Sequence, residues 1–140
     1  MAKAPRAGSV KTRLEPLLGP GGCAALQAGL IEVVSAWAAE VAPGRAYVAC
    51  GPDAPAVDEV AVHTAPAIEL FADGEGDLGD RLAAATARVL DAHPEPLLVI
   101  GTDMPLLWAG RTPRRPSERW REVPTRSSAR PRMAGTGSSG

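Results

Sequence analysis

From Gly22 onward the apolar residues Cys23, Leu26, Leu30, Val33, Val34, Trp37 and Val41 recur in steps of three and four. That is the spacing of one helical face, and Pro43-Gly44 ends it. Residues 46–50 form a short apolar run between turn residues, which predicts a buried parallel strand. Residues 53–60 predict a short helix and residues 68–71 a short strand. Asp77 can cap the next helix, with Asp80 in its first turn, where the helix dipole favours negative charge. Leu82, Ala85, Val89 and Leu90 supply that helix with an apolar face until His93-Pro94 stops it. Residues 97–100 (Leu-Leu-Val-Ile) predict a second buried strand, leading directly into Gly101-Thr102-Asp103-Met104-Pro105. Helices and strands in alternation argue for an open α/β sheet.

The pattern stops after Trp108. Residues 109–140 are rich in Arg, Pro, Ser and Gly without apolar periodicity, so they cannot bury enough surface to offset their ordering entropy and are expected to be disordered. Charge divides the chain at the same place. The formal net charge is −1, yet residues 1–108 hold seven basic and fourteen acidic residues, whereas residues 109–140 hold eight arginines against Glu118 and Glu122. The length of 140 residues suits one domain. No apolar run approaches the ~18–20 residues of a membrane span, and no apolar stretch follows Lys3 and Arg6 to make a signal peptide. Cys23 and Cys50 lack metal-ligand spacing, so a reduced, cytoplasmic protein is expected.

Only two of the fifteen basic residues are lysine, Lys3 and Lys11, and both lie in the polar loop at residues 2–13. Pro5 fixes that loop and Gly8 frees it. Lys3, Arg6, Gly8, Lys11 and Arg13 together could let backbone amides and cations approach a phosphate chain. The spacing is not that of a Walker A loop, and a solvated basic N-terminus is the plain alternative. Asp103 follows an apolar strand, the end at which open α/β sheets bind ligands, and a carboxylate there can hold Mg²⁺ against phosphate oxygens. The plain alternative is a turn residue. Gly76, Asp77 and Arg81 begin a helix and could also face a nucleotide. His63 and His93 are not expected to be catalysts.

The segments AKAPRAGSVKTRLEPLLG, GDLGDRL and LLVIGTDMPLL resemble, in order and spacing, a bacterial family of GT-A-like candidate glycosyltransferases. That family is associated with radical-SAM and selenodomain proteins and is also classed as a domain of unknown function. The resemblance covers residues 1–108 and extends to the nucleotidyltransferases of molybdenum-cofactor and F420 biosynthesis. It implies a Rossmann-like GT-A fold, incomplete here, that binds a nucleoside diphosphate sugar or a nucleoside triphosphate with Mg²⁺ or Mn²⁺ and an unknown acceptor. By position, Lys3, Arg6, Lys11 and Arg13 would contact phosphate and Asp103 would be the metal ligand.

Two departures stand out. Family members carry an apolar first strand before the Lys-Ala-Pro-Arg loop, where this chain has Met1. They also continue to a Gly-Pro-Ala-x-Asp-Gly-Gly-Tyr motif. Residues 129–140, written in permitted GC-rich codons and read from the third base, give Pro-Ala-Glu-Asp-Gly-Gly-Tyr-Trp-Leu-Val, which is that motif in another frame. A frameshift near residues 107–109 is therefore expected, with a tail of no selected function and a marginally folded, weakly active chain. The leading functional expectation is metal-assisted transfer from a nucleoside diphosphate sugar. A nucleotidyltransferase resembling the molybdopterin guanylyltransferases is the alternative enzyme, and nucleic-acid binding through the Arg-rich tail is the alternative of another class.

Overall fold

Among the described residues, strand pairing is brief and parallel throughout. A computed structural model describes residues 1–51 and 54–103. The expectations for Asp53, for Met104 and Pro105, for the tail and for the reading-frame change lie outside the described residues. A 3-10 turn at Thr12–Leu14 leads into helix α1 (Glu15–Val41), followed by strand β1 (Tyr47–Cys50), helix α2 (Ala54–Ala61), strand β2 (Glu69–Ala72) and helix α3 (Leu78–Ala92). β1 and β2 pair with Tyr47 opposite Glu69 and Cys50 opposite Ala72. On the other edge of β1, Ala2 bridges to Cys50 and its amide donates to the Ala49 carbonyl at 2.8 Å. Beyond it the Met1 nitrogen donates to the Ile100 carbonyl at 3.4 Å. The lateral order is thus residue 100, residues 1–2, β1 and β2.

Alternate strand residues face opposite sides, as the pleat requires. Cys50, with Ala2 and Ala4, packs on Ile31 of α1 and on Ala56 and Val60 of α2. Ala49 and Phe71 pack on Ala85 and Val89 of α3 on the other side. The result is a mixed α/β architecture with helices on both faces, as the alternation of elements predicts. α3 starts where expected: Asp77 accepts from the amides of Gly79 (2.7 Å) and Asp80 (3.0 Å), and Asp80 returns the bond to the Asp77 amide. Ala85 and Val89 of its predicted face are buried, whereas Leu82 and Leu90 stay partly exposed.

A short helical turn from Glu15 precedes the predicted helix; Gly19 (φ 67°, ψ 166°) interrupts it and Pro20 restarts it, so the long helix begins close to Gly22 as expected. Three expectations change. The buried stripe of α1 is Cys23, Gln27, Ile31, Val34 and Ser35, whereas Leu26 and Val33 of the predicted face are exposed. The helix is apolar on nearly every side, so periodicity alone does not choose a face. Gln27 and Ser35 help to choose it, because each finds a backbone partner inside: Gln27 donates to the Lys3 carbonyl (3.2 Å) and Ser35 accepts from the Ala65 amide (3.0 Å). By length and composition alone, Thr12–Val41 is also long and apolar enough to cross a membrane, which corrects the expectation that no segment is. Finally, residues 97–100 form no strand, and Leu98 and Val99 are exposed. A buried parallel strand needs paired neighbours and covered faces. Only the single bond from Met1 joins this segment to the rest of the sheet among the described residues.

Candidate functional site

The loop between Lys3 and Lys11 is pinned at both ends. Ala4 and Val10 are buried, which ties the loop to the core while its polar residues stay outside. Its backbone closes on itself, with Arg6 donating to the Ala4 carbonyl (2.8 Å) and Ser9 to the Arg6 carbonyl (3.1 Å). Gly8, at φ 76°, takes a turn that a side chain would resist. Lys11 adopts a left-handed conformation (φ 52°, ψ 31°), a strained choice for a residue with a side chain. Its carbonyl accepts from the Leu14 amide (2.7 Å) and from the Cys23 thiol (3.4 Å), and these bonds hold that conformation. The Cys23 thiol is pushed to higher pKa by burial and then by the charge of Glu15, so it stays a neutral donor.

A cavity of about 570 Å³ opens between this loop, the start of α1 and residues 102–103. Lys3, Lys11, Arg13, Gln27, Thr102 and Asp103 line it, with Ser9 and Thr12 adding hydroxyls. It lies where Ala2, β1 and residue 100 end, the carboxyl side of the parallel pairing. The Lys11 ammonium sits directly against the Asp103 carboxylate. That joins the N-terminal cations to the carboxylate 92 residues away. Lys11 is mostly covered (19 % exposed) and Asp103 mostly open (69 %). An ion pair this open is worth about 0–1 kcal/mol, so it can be broken by a competing ligand. Among the described residues that line it, the cationic side chains of Lys3, Lys11 and Arg13 outnumber the Asp103 carboxylate, and the cavity therefore favours an anion.

Not every candidate from the sequence meets there. Lys3, Lys11, Arg13 and Asp103 line the cavity, whereas Arg6 pairs with Glu59 of α2 at 2.8 Å. Gly8 shapes the loop without lining the cavity. Gly76, Asp77 and Arg81 do not line it either. At Gly76 (φ 102°) a Cβ would meet Asp80 at 2.9 Å, so the turn into the Asp77 cap requires glycine. Arg81 grips Asp73 with both arms of its fork (2.9 and 2.6 Å), and the Asp73 side chain is only 1 % exposed. The hydrogen bond to Asp73 raises the Arg81 pKa despite partial burial. His63 meets Glu32 (3.0 Å) and His93 packs beside Tyr47, both away from the cavity. Sequence reading missed Gln27 and Cys23 as supports. The available signal was a glutamine within an otherwise apolar helix.

The chemistry of the donors limits what metal could sit here. Among the described residues no three His, Cys, Asp or Glu side chains gather as a ligand set. Asp103 is the one carboxylate among the described residues that line the cavity. Mg²⁺ is commonly held by one or two carboxylates together with substrate phosphates and water. One carboxylate is too few for a cation held by protein alone, so any metal here would need further oxygen ligands from water or from a bound molecule.

A family model described as "Uncharacterized protein conserved in bacteria (DUF2064)" matches residues 34–111. The chain belongs to this family. No curated protein and no solved structure matches it. The DUF2064 match starts within α1 and runs through β1, α2, β2 and α3 to Thr102 and Asp103. One wall of the cavity lies inside the DUF2064 segment, and the cation loop precedes it.

Proposed function

We propose that the cavity binds the diphosphate of a nucleoside diphosphate sugar, and that the chain is a transferase of the GT-A, nucleotide-diphospho-sugar class. The observation that carries this reading is the meeting of Lys11 with Asp103 in a cavity that also holds Lys3 and Arg13. The lateral order of residue 100, residues 1–2, β1 and β2 is consistent with a Rossmann-like sheet. In this reading Lys11 leaves Asp103 for a phosphate oxygen, and Lys3 and Arg13 neutralise the rest of the diphosphate. A sugar leaves a diphosphate more readily when the developing charge is matched by fixed cations. Asp103 would hold Mg²⁺ or Mn²⁺, which would supply Lewis-acid neutralisation of the same oxygens. A cytoplasmic location belongs to the same proposal, with α1 as a core helix and not a membrane span.

The same cavity could serve a nucleoside triphosphate, so the two enzyme readings are separated by ligand. Thermal unfolding of the full chain with Mg²⁺ would be followed against UDP-, GDP- and dTDP-sugars, and against GTP and CTP. A ligand present at a hundred times its Kd stabilises by about 2.7 kcal/mol. Stabilisation by a nucleotide sugar is the expected result. Stabilisation by a triphosphate alone turns the reading to nucleotidyl transfer, and no response to any of them overturns both.

A further inference from the structure

The loop that carries both lysines is held from below by two side chains of one helix. Gln27 is buried, at 3 % exposure, and its Nε2 donates to the Lys3 carbonyl at 3.2 Å. Cys23, one turn earlier and fully buried, donates its thiol to the Lys11 carbonyl at 3.4 Å. A buried amide is costly unless bonded, and Ile31 and Val34 continue the stripe with apolar packing alone. Gln27 also lines the cavity beside Lys3. Its amide is therefore placed to act on the site as well as on the core.

We propose that Gln27 is a positioning residue for the diphosphate site, fixing the Lys3 backbone so that its ammonium is presented to the cavity. This rests on the diphosphate reading above. A lysine side chain carries large rotamer freedom, and a loop that must also order itself loses affinity on binding. By clamping the carbonyl, Gln27 removes the backbone part of that loss. The Cys23 bond does the same for Lys11 more weakly, since a thiol is a poor donor.

The test measures inorganic pyrophosphate binding to the full chain by calorimetry, with unfolding followed in parallel. Gln27→Leu keeps the bulk and removes the donor, and about tenfold weaker binding is expected. Val89→Ala on the opposite layer is the stability control, expected to lower the melting temperature while binding as the wild type does. Gln27→Glu separates positioning from packing: buried near a carbonyl, the new carboxyl can donate only when protonated. Its affinity relative to wild type at the same pH should recover as pH falls. Wild-type binding with Gln27→Leu within twofold of it overturns the inference alone, as does equal loss in Val89→Ala. If Gln27→Leu does not fold, a flat Gln27→Glu ratio across pH overturns it. No pyrophosphate binding by wild type overturns the diphosphate reading, and the inference with it.

Discussion

Replacing Arg81 by leucine would leave Asp73 with neither of the guanidinium donors that reach its two oxygens at 2.9 and 2.6 Å. The Asp73 side chain is 1 % exposed and its backbone amide is tied to the Cys50 carbonyl at 2.9 Å, so it cannot swing into water without moving the end of β2. Breaking a buried pair by removing one partner costs about 3–5 kcal/mol. Arg81 itself is 22 % exposed, so water relieves part of the penalty and the lower end, about 3 kcal/mol, is expected. Against the ~5–15 kcal/mol total of a small domain that is a large share. Urea titration followed by circular dichroism reads it as a lower midpoint at unchanged slope. The double variant Arg81→Leu with Asp73→Leu should recover most of the loss, because an apolar pair of similar bulk carries no orphaned charge. A single variant within about 0.5 kcal/mol of wild type would refute the reasoning. So would a double variant as unstable as the single one. Lost nucleotide binding at unchanged stability would instead give Arg81 to the ligand.

Removing the α3 cap by Asp77→Ala leaves the Gly79 and Asp80 amides without their acceptor and should cost about 1 kcal/mol in the same titration. Cys50 gives a pH signature. Burial and then the charge of Asp73 push its thiol up to about 11, with the amino end of Met1 opposing them. The folded chain therefore keeps a proton that the unfolded chain releases near pH ~8.5. Stability from this group is complete below that pH and is lost as pH rises through about 11, by at most about 3 kcal/mol. Cys50→Ala should flatten that alkaline limb, and an unchanged limb would contradict the assignment.

Much of the fold was legible because local signals were strong. Asp77 and Asp80 mark the start of α3 through local chemistry that needs no tertiary partner; the structure realises the Asp77 cap and adds a bond from the Asp77 amide to the Asp80 carboxylate that the dipole argument did not foresee. The apolar run before Gly51 predicts β1 because a strand covered on both faces has no reason to alternate. α1 shows the limit. With Leu26, Leu30, Ile31 and Val33 spread around the helix, hydrophobic periodicity had no unique answer. The face was decided in part by bonds to Lys3 and Ala65, groups distant in sequence. Residues 97–100 fail as a strand for a similar reason, since apolar sequence supplies no hydrogen-bonding neighbour. At the site, Lys11 reaches Asp103 because Ala2 bridges to the end of β1 and the Met1 nitrogen bonds to the Ile100 carbonyl, contacts that no local signal announces. The diversion of Arg6 to Glu59 and of Arg81 to Asp73 depends on pairings between cations and acids that the sequence offers in many combinations.

The most direct measurement compares pyrophosphate affinity of wild type, Lys11→Ala and Asp103→Asn, with and without Mg²⁺. Lys11→Ala should bind at least tenfold more weakly in both conditions. Asp103→Asn should change sign: tighter than wild type without metal, because the carboxylate no longer occupies Lys11 or repels the anion, and weaker with it. Three proteins of equal affinity, in either condition, would mean that the anion does not bind between Lys11 and Asp103.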